Sequence, residues 1–213
     1  MKISLLHPSK GRPFQAMKTT LSWIEKASGT HELEYIISVD DNDTFADQYL
    51  GMFKDTNVNV IITPSRSCVG AVNEAAKVSR GDILIVVSDD FECPLDWDKI
   101  VVDNMDMSTP CALHVDDGIT NFSRIMTIPI INRKLYEVLG YVYHPAFVSM
   151  WADNHLYEVV SIKGKIIIVD RLFQHNHYMN NKRKKDATDH YHGSVEKYNE
   201  GKVIFDHLLI NLN

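Results

Sequence analysis

The sequence predicts an α/β fold with a mostly parallel central sheet flanked by helices, built as one domain. Two observations carry this. Short, fully apolar runs alternate with amphipathic stretches through the first half of the chain, and strands without polar alternation belong to parallel sheets covered on both faces. At 213 residues and 45% hydrophobic content, the chain has the size and composition of one globular domain.

The elements follow in order. Ile3 to Leu6 reads as a buried strand. Phe14, Met17, Leu21 and Ile24 fall at helical spacing and predict a helix with that face inward. Tyr35 to Val39 and Val58 to Ile62 are the second and third strands. Val69 to Ser79 is a helix with Val72, Ala75, Ala76 and Ser79 on one face, and Ile83 to Val87 is the most apolar strand. The second half is less regular. Ala112 to Val115, Arg124 to Thr127 and Ile166 to Val169 read as strands. Asn132 to Gly140 and Trp151 to Ser161 read as helices, the first with Gly140 near its C-cap. The apolar residues of Val203 to Leu212 suit packing back onto the body. No internal repeat or domain boundary is visible.

Charge and cysteine content bound the function. A net charge of −6 argues against a uniformly basic surface that coats nucleic acid, though not against a local basic groove. Cys68, Cys93 and Cys111 form no Cys-x-x-Cys pair, which argues against a zinc knuckle or thioredoxin-like site. The N-terminal apolar run is too short for a signal peptide, and no window approaches the roughly 18 apolar residues of a membrane span. A soluble, cytoplasmic protein without a membrane partner is the expectation.

Open parallel sheets bind ligands beyond the carboxyl ends of their strands. Those ends read His7 to Pro13, Asp40 to Asp43, Pro64 to Ser67, and Ser88-Asp89-Asp90, so one rim gathers carboxylates with Lys10, Arg12 and Arg66. An apolar strand ending in paired carboxylates suits Mg²⁺ or Mn²⁺ bridging phosphate oxygens. A turn with Asp as a helix cap is the plainer alternative.

The order of these features resembles the GT-A glycosyltransferases, especially glycosyltransferase family 2. Pro8 and Arg12 match that family's proline and basic residue after the first strand, and Asp40-Asp41 matches the pair that contacts nucleobase and ribose. Val69 to Ala76, with Gly70 and Asn73, and Arg80-Gly81-Asp82 match the passage leading to the metal strand. The Asp-any-Asp motif falls on Ser88-Asp89-Asp90, with Ser88 in place of the first Asp. The segment Pro129 to Tyr141 resembles the one before the family's catalytic acid. Trp151-Ala152-Asp153 then stands where an acidic pair is usual, with Ala152 in place of the first acid. Leu172 to His177 resembles the segment that supplies a metal-binding His.

The resemblance implies a metal-dependent, inverting transfer from a nucleotide diphosphate sugar, a UDP-sugar first among them, to an acceptor hydroxyl. Residues 1–94 would form the donor half and residues 95–213 the acceptor half with its C-terminal tail. Asp153 would be the base. Asp90 with one of His175 and His177 would hold Mn²⁺ or Mg²⁺. Pro8, Arg12, Asp40, Asp41, Arg66, Gly70, Asn73, Ser88 and Asp89 would bind the donor. Trp151, Lys182, Arg183 and Lys184 would meet the acceptor. The run Asn181 to Lys185 lies among His and Tyr residues, which suits a nucleic-acid backbone and an exposed base. Small enzymes of phage type that glycosylate hydroxymethylated pyrimidines in DNA are similar in size, so such DNA is one acceptor. A saccharide or small hydroxylated compound is the other. Outside this class stand a sugar-nucleotide nucleotidyltransferase and a non-catalytic nucleotide-sugar-binding protein.

Overall fold

A computed structural model describes residues 1–65, 67–178, 184, 194–210 and 212. The elements run β1 (Lys2–Pro8), α1 (Pro13–Glu25), β2 (Glu32–Asp40), α2 (Ala46–Phe53), β3 (Val58–Thr63), α3 (Cys68–Val78), β4 (Ile83–Val86), β5 (Phe91–Glu92) and α4 (Trp97–Asn104). They continue with β6 (Cys111–Asp116), β7 (Ile130–Asn132), α5 (Arg133–Leu139), α6 (Ala152–Lys163), β8 (Lys165–Leu172), β9 (Gln174–His175) and α7 (Val195–Ile210). A seven-stranded sheet has the order β3-β2-β1-β4-β7-β6-β8, and β5 pairs with β9 in a separate two-stranded ribbon. Only β7 runs against the others in the large sheet.

The pleat explains the two cores. Successive strand residues point to opposite faces. Ile3, Leu5, Ile37, Val39, Ile83 and Ile85 face one side and pack with Trp23, Tyr49, Trp97 and Phe173. Leu6, Ile36, Leu84 and Val86 face the other and pack with Val69 and Val72 of α3, Leu135 of α5, and Leu156 and Val160 of α6.

Several elements depart from the sequence reading. The predicted inward face of α1 is largely outward: Phe14, Leu21 and Ile24 are exposed, while Pro13, Ala16, Thr19, Thr20 and Trp23 are buried. The largest side chain decides the helix's rotation. Trp23 stacks against Trp97 at 5.1 Å and near Phe173 at 6.1 Å, and its Nε1 donates to the Phe91 carbonyl at 3.2 Å. Trp23→Ala is therefore expected to cost about 3–5 kcal/mol, read from urea unfolding. The segment 124–127 is not a strand. Its Met126 N–H donates to the Asp153 carbonyl, and the strand between β6 and β8 in sequence is Ile130–Asn132 instead. The sequence reading does not contain α2 and α4. β3 is only half-buried because it lies at the sheet edge. As predicted, Asn132 begins α5, accepting from the Leu135 N–H, and Gly140 ends it at φ 76°.

Candidate active site

The carboxyl ends of β1, β2 and β4, the N-terminus of α3, the start of α6 and the strand end at His175 surround one cleft of about 520 Å³. Its wall includes Pro8, Arg12, Asp40, Ser88, Asp89, Asp90, Trp151, Asp153, His175 and His177, so segments far apart in sequence converge there.

At one end Lys10 Nζ donates to Asp40 Oδ2 at 2.8 Å, and Ser65 Oγ donates to Asp40 Oδ1 at 3.2 Å. Asp41, in the turn after β2, is exposed and outside the wall.

Asp89 is a buried hub. His7 Nε2 lies 3.0 Å from its Oδ1, and Ser9 Oγ donates to it at 2.9 Å. Arg12 Nη1 is 3.9 Å from Oδ2. Thr19 Oγ1 donates to the Asp89 carbonyl at 2.8 Å. The hub fixes the β1 and β4 ends against α1. His7 lies near the end of β1 and Ser9 just after it, and their part in this hub is not legible from the sequence.

Asp90 faces the other way. Its Oδ2 lies 3.5 Å from His175 Nε2, and both side chains are largely buried. The backbone causes this meeting. In the β5–β9 ribbon Phe91 pairs with His175 and Glu92 with Gln174, while the Asn176 N–H donates to the Asp90 carbonyl at 2.8 Å. The Phe91 ring meets the His175 ring edge-on at 4.7 Å, and His177 stacks on His175 at 4.9 Å. A carboxylate oxygen and an imidazole nitrogen converging on one point fit a Mn²⁺- or Mg²⁺-type ion. Among the described residues no group of three or more His, Cys, Asp or Glu is gathered for a metal.

Asp153 stands in the first turn of α6, where its Oδ1 accepts from the Asn154 N–H at 2.9 Å. Burial pushes its carboxyl above the ordinary carboxylate value. Backbone N–H groups and His175 offset part of that rise, and Asp117 adds to it. Trp151, just before α6, is held at φ 72°, a left-handed conformation that costs a non-glycine residue energy and clusters at functional sites. Its ring packs on Tyr198 at 5.2 Å and Phe205 at 5.1 Å of α7. Gly201 permits this contact, since a Cβ there would lie 2.6 Å from the Met150 carbonyl oxygen.

Two expected donor contacts take other places. Gly70 is not in the wall; a Cβ there would lie 2.7 Å from the Ser65 Cβ, so its smallness lets the loop before α3 close down. Asn73 is also outside the wall. Its amide is spent on the chain at 142–143, accepting from the Val142 and Tyr143 N–H groups at 3.0 and 3.1 Å and donating to the Tyr143 carbonyl at 2.7 Å. Lys184 is exposed and away from the wall. Arg66, Lys182 and Arg183 lie outside the described residues.

Comparison with known proteins bears on the fold and the family. Among solved structures, S. aureus TarS 1–349 in complex with UDP-GlcNAc superposes with a TM-score of 0.69 at 14% identity, covering 96% of this chain and 65% of that one. The mannosyltransferase PcManGT from Pyrobaculum calidifontis, in complex with GDP-Man and Mn²⁺, gives 0.65 at 12% identity, covering 99% and 72%. S. aureus TarS 1–349 gives 0.64 at 14% identity, covering 81% of this chain, and the chain spans 59% of its length. At these identities the likeness is one of fold. No curated protein sequence matches the chain. Among the described residues, no helix is long and apolar enough to cross a membrane. The model of the family described as Glycosyl transferase family 2 matches residues 14–141, more than half of the sequence, and the chain therefore belongs to that family.

Proposed function

We propose that this protein transfers a sugar from a nucleotide diphosphate sugar to an acceptor hydroxyl by direct, inverting displacement. The observation that carries the reading is the one cleft with Asp90 opposite His175 in one wall and the half-buried carboxyl of Asp153 in another. The sugar nucleotides in complex with the fold neighbours, UDP-GlcNAc in TarS 1–349 and GDP-Man in PcManGT, support the donor class.

Residues 1–94 serve the donor. Asp40, with Lys10 across it, meets the nucleoside, and Pro8, Arg12, Ser88 and Asp89 shape the path of the diphosphate. Asp90 and one of His175 and His177 hold Mn²⁺ or Mg²⁺, which when bound neutralises charge on the diphosphate. Residues 95–213 serve the acceptor. Asp153 takes the proton of the acceptor hydroxyl as its oxygen forms a bond to the anomeric carbon. The bond from that carbon to the diphosphate oxygen breaks, and its electron pair leaves with the nucleoside diphosphate. Arg12, near Asp89, adds positive charge at that end.

For the acceptor, the basic run at 181–185 supports hydroxymethylated pyrimidines in DNA, with the base leaving the stack to reach Asp153. The aromatic rim of Trp151, Tyr178 and Tyr198 suits a saccharide equally. The test offers UDP- and GDP-sugars with Mn²⁺ to hydroxymethylcytosine DNA, hydroxymethyluracil DNA and simple saccharides, and reads acceptor masses. A hexose or pentose increment on one acceptor class is expected. Pyrophosphate release from a sugar phosphate and a nucleoside triphosphate would instead mark a nucleotidyltransferase. Binding of donor with no turnover on any acceptor or on water would mark a non-catalytic binder.

A further inference from the structure

Trp151 and Tyr198 lie far apart in the chain and meet at the cleft. Tyr198 is 46% exposed, Trp151 is partly exposed, and both line the wall. Their rings are in contact, with centroids 5.2 Å apart and planes tilted by 58°. Tyr198, Gly201, Lys202 and Phe205 recur at i, i+3, i+4 and i+7, so one face of α7 rides over the turn at Met150 and Trp151. Gly201 sets how close that face comes. It is buried, and a Cβ there would lie 2.6 Å from the Met150 carbonyl oxygen and 3.0 Å from Trp151 Cδ1. A larger residue must lift α7 from this turn, and Tyr198, one helical turn away on the same face, would move with it.

Two observations point to what these rings bind. The first is their place in the cleft. Asp153, the proposed base, follows Trp151 by two residues, so the rings stand on the acceptor side. The second is charge. Among the described residues of the wall, the lysines and arginines are Lys10 and Arg12, and both stand at the donor end, beside Asp40 and Asp89. Lys202 lies 5.3 Å from the Trp151 ring centroid but outside the wall, and it donates to both carboxylate oxygens of Asp206. A phosphodiester backbone thus meets no described wall cation beside the rings. What the wall adds there is uncharged: the Ser149 hydroxyl and the Asn154 amide, close to Trp151 in the chain. Because the two rings already touch, they leave no slot between them for a flipped base. An exposed aromatic face bordered by neutral hydrogen-bonding groups matches a sugar ring, whose C–H face is apolar and whose edge carries hydroxyls.

We infer that the acceptor is a neutral saccharide, that one of its sugar rings lies on the face of Tyr198 beside Trp151, and that Gly201 is the residue that positions this platform. The inference rests on the transferase reading above and narrows its acceptor class.

The test uses the full chain with Mn²⁺ and UDP-N-acetylglucosamine or GDP-mannose. The acceptors are methyl glycosides of glucose, galactose, mannose and N-acetylglucosamine, their disaccharides, and hydroxymethylcytosine DNA. Transfer is read by mass. Saccharide binding to the protein loaded with UDP and Mn²⁺ is read by NMR titration, so that affinity is seen even without turnover. Transfer to a saccharide, or binding of one, is expected. Tyr198→Ala should then raise the acceptor KM or Kd about tenfold, the effect of uncovering about 50 Å² of apolar ring, with the change in the acceptor constant rather than in donor Kd. Tyr198→Phe keeps the flat face and should stay within about twofold of the parent. Tyr198→Leu keeps apolar bulk against Trp151 without that face. It should match the alanine variant at an unchanged thermal midpoint, which separates stacking from misfolding. Gly201→Ala should raise the acceptor constant as Tyr198→Ala does, and the two together should add little beyond either. An acceptor constant for Tyr198→Ala within about twofold of the parent, an equal loss in Tyr198→Phe, or a change confined to donor Kd overturns the inference. So does a protein that binds its donor but neither modifies nor binds any saccharide, whether or not it modifies the DNA. Each of these leaves the donor reading standing. Failure of every sugar nucleotide to bind overturns both.

Discussion

Asp153→Asn is expected to lower kcat by about 100- to 10,000-fold, the range a positioned general base contributes, with donor Kd little changed. The isosteric amide keeps an oxygen able to accept from the Asn154 N–H, so the start of α6 is preserved. The pH profile gives a second reading. The base works only when ionised, and burial has raised its pKa, so kcat/KM should fall as pH drops through a value above that of an exposed Asp. The stability sign is opposite. A carboxyl whose folded pKa is raised contributes fully below its unfolded pKa and loses that contribution as pH rises through the folded one. Near neutral pH the ionised Asp153 therefore costs stability, and the Asn variant should unfold at an equal or higher urea concentration. A variant that is inactive yet no less stable is the signature of a base. Transfer within threefold of the parent would remove Asp153 from that role without touching the fold.

Asp90→Ala is expected to cost about 100- to 1,000-fold in kcat, the size of losing one preorganised stabiliser of leaving-group charge. His175→Ala should follow it, because the ladder that places His175 is main-chain and survives truncation of the ring. Chelation of the parent protein should give a comparable loss, restored by Mn²⁺. A readout independent of turnover is Mn²⁺ binding by electron paramagnetic resonance with UDP present, expected to weaken in both variants. His177→Ala distinguishes the two histidines. If it alone abolishes Mn²⁺ binding, the ligand is His177, and His175 is its stacking support. Unaltered Mn²⁺ affinity and kcat in Asp90→Ala would dismiss the ion from this strand end.

Much of the donor side was legible because it is local. The apolar runs fixed β1 to β4 to within a few residues, and the rule that ligands gather at strand ends led to the rim that the cleft occupies. What was not legible depends on distance. α1 offers two apolar stripes, and only Trp97 and Phe173, more than seventy residues away, decide that Trp23 faces inward. Asn73 looks like a donor contact in its own helix and proves to be a brace only because a turn seventy residues later packs beneath it. The Asp89 hub has the same character: His7 reads as part of the rim beyond the first strand, and only β4 beside β1 brings Asp89 to its ring. Helices α2 and α4 are eight residues each, too short for periodicity to mark them against their polar flanks.

The two-residue ribbon of β5 with β9 also sets an order on the making of the enzyme. Along the chain β1 to β4 are complete by Val86, whereas His175 comes far later. Until that ladder closes, Asp90 lacks its opposing imidazole. On the proposed reading, a chain that stops short of this ladder lacks the half of the metal site that His175 would supply.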